Sequence, residues 1–325
     1  MSAPTADPRS NWHNPAMAER AEIERPRLEG SVAVRDGRRL SFAEFGVPDG
    51  AAIVWMHGTP GARRQIPVEA RRYAEEHDLR IIGIDRPGTG SSTPHLYPEI
   101  LDWTNDLVPL ADVLGIDTMR VIGLSGGGPY ALAAGAALPD RVHAVGVLGG
   151  VAPMVGPDAI RGGLVELAPY AAPVLAATRV PLSIALAQAI RVIRPLAGAA
   201  IDGYARVQPI GDKRLLARPE FRAMFLDDLL NGARFQLGAP LSDIVLFTRP
   251  WGFTAADVRV PVHWWHGDAD HIIPFRHGEH MVERLPEAEL SVIAGESHLG
   301  GLGVATEVLG TLMELGPRKQ VRSAR

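Results

Sequence analysis

The chain has 325 residues, 46% of them hydrophobic, with a formal net charge of -4 and no cysteine. That is enough apolar material for a large core, and enough length for one large or two ordinary domains. The near-neutral charge leaves no electrostatic footprint for nucleic acid, and the lack of cysteine excludes disulfides, thiol chemistry and thiolate metal sites.

Residues 1–30 are polar and proline-containing and lack an apolar h-region, so they read as a loose extension without a signal peptide; the expectation is a soluble, cytoplasmic chain. From Ser31 the text alternates, and Asp36-Gly37 between two β-like runs is a hairpin signal. A buried-strand run follows at Ala51 to Met56, then a charged helical stretch near Val68 to His77, and a second apolar strand from Arg80 to Asp85. Leu101 to Leu114 reads as an amphipathic helix, "RVIGL" from Arg120 as a third buried strand, Gly127 to Leu138 as a helix, and "VHAVGVLGG" from Val142 as a fourth strand. Short apolar strands alternating with helices predict βαβ units and a mostly parallel sheet covered on both faces.

The strand rhythm disappears over residues 152–240, which are rich in Ala, Leu and Pro and predict several short helices interrupted by proline. It returns with a strand at Val260 to Gly267, a helix at Phe275 to Leu285, a strand at Ala288 to Gly295 and a helix at Val304 to Leu315. The expected organisation is therefore an α/β core of residues 31–151 and 241–316, a helical cap of residues 152–240 over one sheet edge, and a basic solvated tail of residues 317–325. In the cap, Leu167 to Thr178 and Val180 to Ile190 are uncharged, and each is too short to span a bilayer on its own. The plain expectation is that these runs pack on the core. The sharper one is that some line an apolar substrate pocket, and a lesser one is that the cap touches a membrane surface.

One serine stands among glycines in "GLSGG", Gly123 to Gly127, between a predicted strand and a predicted helix. This fits G-x-S-x-G, in which a sharp, strained turn projects the serine hydroxyl above the sheet and the helix start aims free N–H groups at it. Glycine is needed where strand end and helix start crowd together. A phosphate-cradling loop would need Lys-Ser or Lys-Thr after the glycines, and Pro129-Tyr130 stands there. A serine needs a base and the base an orienting acid, in the chain order Ser, Asp or Glu, His. Downstream, the loop after the Val260–Gly267 strand offers Asp268 and Asp270, and the loop after the next strand offers His298. Both loops leave the carboxyl ends of predicted parallel strands, where open α/β sheets place their sites.

The chain resembles the α/β-hydrolase fold family over nearly all of Ser31 to Leu315. The marks are "HGTPG" at His57 to Gly61, "DRPGTGSS" at Asp85 to Ser92, "GLSGG", "HGDADHIIP" at His266 to Pro274, and "ESH" ending at His298. The resemblance implies that the acid of G-x-x-D is Asp270 and not Asp268, and that Ser125, Asp270 and His298 form the triad. It implies oxyanion donors from Gly126, the residue after the nucleophile, and from Thr59, the residue after His-Gly. It also implies a structural role for His57. Asp85 and Arg86 read as a turn and an ion pair with each other that braces the oxyanion loop. The five histidines between His263 and His280 lack a complete zinc-site spacing, and neither metal nor cofactor is expected.

The implied activity is that of a cofactor-free serine esterase cleaving apolar small-molecule esters through an acyl-enzyme, with oligomeric state left open. Serine at the elbow argues against the epoxide hydrolase and haloalkane dehalogenase branches, which carry aspartate there. A proline-iminopeptidase-like aminopeptidase, a carbon–carbon bond hydrolase and a haloperoxidase-like perhydrolase remain on the same fold. The peptidase would need cap carboxylates for the substrate ammonium, for which Glu220, Asp227 and Asp228 are the candidates. A non-catalytic binding protein on the same scaffold is disfavoured because all three triad members are present.

Overall fold

The structure, a computed structural model, describes residues 23–316; the expected extension over residues 1–22 and the tail from Pro317 lie outside them. In chain order the elements are β1 (Leu28–Ala33), β2 (Arg39–Gly46), β3 (Ala51–Met56), α1 (Val68–Glu76), β4 (Leu79–Ile84), α2 (Thr104–Val113), β5 (Met119–Leu124), α3 (Gly128–Ala137) and β6 (Val142–Leu148). A helical segment follows, with α4 (Ala168–Ile193), α5 (Ala197–Val207), α6 (Ile210–Ala217), α7 (Pro219–Gly232) and α8 (Ala239–Phe247). The chain then returns to the sheet through β7 (Val262–Gly267), α9 (Arg276–Val282), β8 (Ala288–Ile293), the short α10 (Gly300–Gly303) and α11 (Ala305–Glu314).

The eight strands form one sheet in the order β1-β2-β4-β3-β5-β6-β7-β8. β2 is antiparallel to both of its neighbours, and the rest of the sheet is parallel. The inner strands β3 to β6 are mostly apolar because both of their faces are covered, whereas the edge strands β1 and β8 are largely open. In β3, Val54 and Met56 join the core on one face with Trp103, Leu107 and Trp264, while Ile53 and Trp55 join the other with Trp265, Val308 and Leu312. The fold is the α/β-hydrolase fold expected from the sequence.

Two expectations change. β1 begins at Leu28, inside the stretch read as a loose extension, because Leu28, Glu29 and Gly30 pair with Glu44, Ala43 and Phe42 of β2. More importantly, the prolines do not break the helical segment where expected: α4 is a single helix of 26 residues running through Pro173 and Pro181. Both prolines lie on its exposed side, so the backbone carbonyls they leave without an intrahelical donor point away from the packed face. The two uncharged runs thereby join into one element, and residues 164–207 are long and apolar enough to cross a membrane by length and composition.

The turn from β5 into α3 is tight. A Cβ on Gly123 would lie 2.4 Å from the Gly127 carbonyl oxygen, and one on Gly127 would lie 2.3 Å from that of Met56. Between them Ser125 adopts φ 52°, a left-handed conformation that non-glycine residues take only where the surroundings enforce it. Gly123→Ala is expected to destabilise the protein by about 1–3 kcal/mol through overpacking against backbone that has no free rotamer, read as a lower urea midpoint.

Candidate active site

Three loops at the carboxyl ends of β5, β7 and β8 bring Ser125, Asp270 and His298 together. Ser125 Oγ–H donates to His298 Nε2 across 2.8 Å, and His298 Nδ1–H donates to Asp270 Oδ2 across 2.7 Å. The carboxylate can only accept, so it fixes the proton on Nδ1 and leaves Nε2 free to take one. Asp270 Oδ1 accepts the N–H groups of Ile272 (2.8 Å) and Ile273 (3.0 Å). Burial alone would raise this carboxyl, but hydrogen bonds from His266 and His298 outweigh it and hold the group well below the usual carboxylate range. Asp268, the other candidate, turns away and accepts the Gly295 N–H at 2.7 Å on the surface.

A positioning residue not singled out from the sequence is His266. Trp264 Nε1–H donates to its Nδ1 at 3.1 Å, which places the proton on Nε2, and Nε2–H donates to the Ile273 carbonyl at 2.8 Å. The same Nε2 lies 3.4 Å from Asp270 Oδ2. The strand alternation behind this was legible: His266 and Trp264 face one side of β7, and His263 stacks on Trp265 on the other. His263 contacts Ser291, and His280 contacts the Asp158 carbonyl. Among the described residues no three His, Asp or Glu side chains are grouped to hold a metal ion.

Thr59 and Gly126 stand beside Ser125, so close that a Cβ on Gly126 would fall 2.2 Å from Thr59 Oγ1. The loop after β3 that carries Thr59 is held by its side chains rather than by regular structure. His57 is fully buried; its Nδ1–H donates to the Gly58 carbonyl at 2.7 Å and its Nε2 accepts the Arg86 N–H at 3.3 Å. Burial, with the Arg86 guanidinium beside it, holds this imidazole well below its ordinary value, so His57 is a neutral brace. Arg86 also donates to the carbonyls of His57 and Gly58.

Asp85 and Arg86 do brace this loop, but through separate partners. Asp85 accepts from the Arg63 backbone N–H at 2.7 Å and pairs with its guanidinium. Arg86 pairs with Asp243 of α8 at 2.6 Å. Asp243 Oδ2 also accepts Thr59 Oγ1–H at 2.6 Å, and its Oδ1 accepts Tyr130 OH at 2.7 Å. Two further aspartates of the helical segment reach the core loops. Asp228 accepts the N–H groups of Ala62 (2.9 Å) and Arg64 (3.0 Å), and Asp212 accepts that of Leu299 (3.0 Å), next to His298.

A cavity of about 290 Å³ opens over Ser125. Beyond Thr59 and Gly126 its wall is Val151, Leu164, Leu167, Ile244, Phe247 and Ile272 with their apolar neighbours, and no charged side chain lines it. A larger cavity of about 940 Å³ lies at the other end of the strands, among Gly50, Gly115, His143 and Met313, and contains none of these residues. The carboxylates considered for a substrate ammonium are engaged elsewhere: Glu220 with Arg72, Asp227 with Arg64, and Asp228 with the backbone as above.

Asp243→Asn is expected to lower kcat by about tenfold to a hundredfold, through a misplaced Thr59 loop. Asp243→Ala, which strands the buried Arg86 charge, is expected to cost roughly 3–5 kcal/mol of stability. Steady-state kinetics and urea unfolding read the two effects. A second expectation concerns pH. Burial, reinforced by the nearby Asp85 charge, pushes the Asp228 carboxyl up to about 8 from 3.8, so across that window the folded protein holds a proton that the unfolded chain releases. Stability therefore falls as pH rises from about 4 to 8, and Asp85, raised to about 6 mainly by burial, acts in the same direction. Unfolding free energies of the wild type and Asp228→Asn at a series of pH values should show a flatter slope for the variant.

Comparison with known proteins agrees with this architecture. The family model described as "Hydrolase_4: Serine aminopeptidase, S33" matches residues 50–299. A proline iminopeptidase from Arabidopsis thaliana is 35% identical over 120 residues, covering 36% of this chain and 31% of that protein. One from Neisseria meningitidis (serogroup A) is 32% identical over 133 residues, covering 40% of this chain and 42% of that protein. The aligned part thus spans only about a third to two-fifths of these curated relatives. Among solved structures, a bromoperoxidase from Bacillus anthracis superposes with a TM-score of 0.63 at 20% identity, covering 88% of this chain and 98% of that one. The esterase EaEST from Exiguobacterium antarcticum does so with 0.61 at 20% identity, covering 88% and 99%; at such identities the likeness is one of fold. With the family model spanning most of the sequence and the sheet built as described, the chain belongs to the serine aminopeptidase S33 (Hydrolase_4) family and has the α/β-hydrolase fold.

Proposed function

We propose that the protein hydrolyses carboxylic esters with an apolar acyl group, through an acyl-enzyme formed on Ser125. Ser125 Oγ attacks the ester carbonyl while His298 Nε2 takes its proton. His298 then gives that proton to the leaving alcohol, and Asp270 holds the imidazole tautomer and offsets the positive charge that develops on it. The backbone N–H groups of Thr59 and Gly126 receive the oxyanion, a contribution of about 3 kcal/mol per donor. A water deprotonated by His298 next attacks the acyl carbonyl, and collapse of that intermediate frees the acid and restores the serine.

The observation that carries the ester reading is the uncharged, apolar wall of the cavity over Ser125. It offers an acyl chain dispersion contacts and offers an ammonium no carboxylate. The second reading, an aminopeptidase, is supported by the family's description and by the names of the curated relatives. It requires carboxylates at the pocket, and Glu220, Asp227 and Asp228 are all committed to other partners.

The test is a panel of p-nitrophenyl esters of rising chain length beside proline and alanine arylamides. Ester turnover well above amide turnover, with Ser125→Ala lowering kcat on the order of 10⁵–10⁶ while leaving the unfolding transition in place, is the expected result. Dominant arylamide turnover would replace the ester reading by the peptidase one, and unchanged ester turnover in Ser125→Ala would remove both.

A further inference from the structure

The helix α4 has the wrong outer surface for a helix in water. Its inward stripe is Ala168, Ala172, Leu175, Ser183 and Ala187, at the spacing of one helical face; Ala172 and Leu175 pack on Leu241, Ile244 and Val245 of α8, and Ala187 packs on Ala233 and Leu237. The rest of its circumference is open, and of the most apolar stretch of 18 residues only 11% is buried. Tyr170 is 83% exposed, Val174 64% and Val192 77%. From Leu167 to Ile190 the only charged side chain is Arg179, and that one folds back on the Ala176 carbonyl. Thirteen of the eighteen exposed large hydrophobic side chains among the described residues fall between Leu164 and Ile210. A patch of this extent on a monomer marks a surface that meets something apolar.

Charge selects the partner. Residues 161–218 carry eight Arg and Lys against three Asp and Glu, within a chain of net charge -4, and of the eight Arg214 and Arg218 meet Glu296 and Glu69 of the core. Of those three acids, Asp212 is buried and Asp202 is paired with Arg222. At the C-terminal end of α4, Arg191, Arg194 and Arg234 with Asn231 surround a cavity of about 340 Å³ that no carboxylate lines. Exposed Val192, Ile193, Leu196 and Phe235 stand immediately beside these arginines in sequence. Guanidinium groups around a small cavity suit phosphate oxygens, and apolar side chains next to them suit acyl chains. A second copy of the same surface would bring few acids to meet the arginines, whereas an anionic bilayer supplies both complements at once.

We infer that the outward face of α4, with the Arg191–Arg194–Arg234 cavity at its end, is a docking surface for an anionic lipid bilayer. The helix lies on the bilayer and does not cross it, since its inward stripe stays packed on α8, Ala233 and Leu237. Leu164 and Leu167, which wall the cavity over Ser125, precede the same helix and are exposed, so docking sets the pocket mouth near the lipid. This inference is independent of which bond the site cleaves.

The test is flotation of the full chain with vesicles of phosphatidylcholine alone and of phosphatidylcholine containing phosphatidylglycerol, with light scattering for mass in the absence of lipid. Binding to the anionic vesicles, weakened by salt, is expected. Ile184→Glu and Val174→Glu should each reduce it while leaving the urea unfolding transition unchanged. Replacing the three arginines by alanine should lower partitioning about fivefold each, about a hundredfold together. Three results would overturn the inference: no flotation of the folded wild type; a dimer that Ile184→Glu converts to monomer without any vesicle binding, which makes the partner a second copy; or inorganic phosphate binding that the arginine changes abolish while vesicles are ignored.

Discussion

One carboxylate, that of Asp243, has to satisfy a guanidinium, a phenol and a threonine hydroxyl in a space closed to water. A charge so buried is tolerable only when it is paired and fully hydrogen-bonded. Meeting that condition forces Arg86, Tyr130 and Thr59 into one arrangement. Arg86 in turn takes the carbonyls of His57 and Gly58, so the loop after β3 has no independent conformation. Thr59, in the wall of the cavity over Ser125, is held in place by an ion pair that does not itself line that cavity.

The helical segment is therefore more than a cover. Asp243, Asp228 and Asp212 each leave it to accept hydrogen bonds from a loop of the α/β core, two beside Thr59 and one beside His298. Burial makes each of these contacts hard to lose, because breaking one leaves a desolvated polar group unsatisfied. The sheet places Ser125, Asp270 and His298 at the carboxyl ends of β5, β7 and β8, and the three aspartates hold the loops after β3 and β8.

Much of this could be read from the residues. The inner strands are short and buried on both faces, so their apolar runs stood out, and the glycines of the elbow, the G-x-x-D acid and the late histidine each carry a chemical requirement at a fixed place in the chain. The rest was not local. Pro173 and Pro181 signal helix ends to any reading of neighbours, yet they sit where α4 faces outward and the helix runs on. Asp243 lies 184 residues from Thr59 and 157 from Arg86, a pairing that no spacing rule reaches. His266 could have been noticed, since a histidine two residues from Trp264 on the same strand face and four before the acid is placed to reach it.

The bonds from the helical segment into the core bear on which parts of the molecule can change. A roof nailed to the floor by Asp212, Asp228 and Asp243 is no interchangeable part: a replacement without those nails would leave the loops beneath it to sag even if the new roof folded well. Repainting the ceiling, at positions such as Leu167, Ile244 and Phe247, leaves the joinery alone.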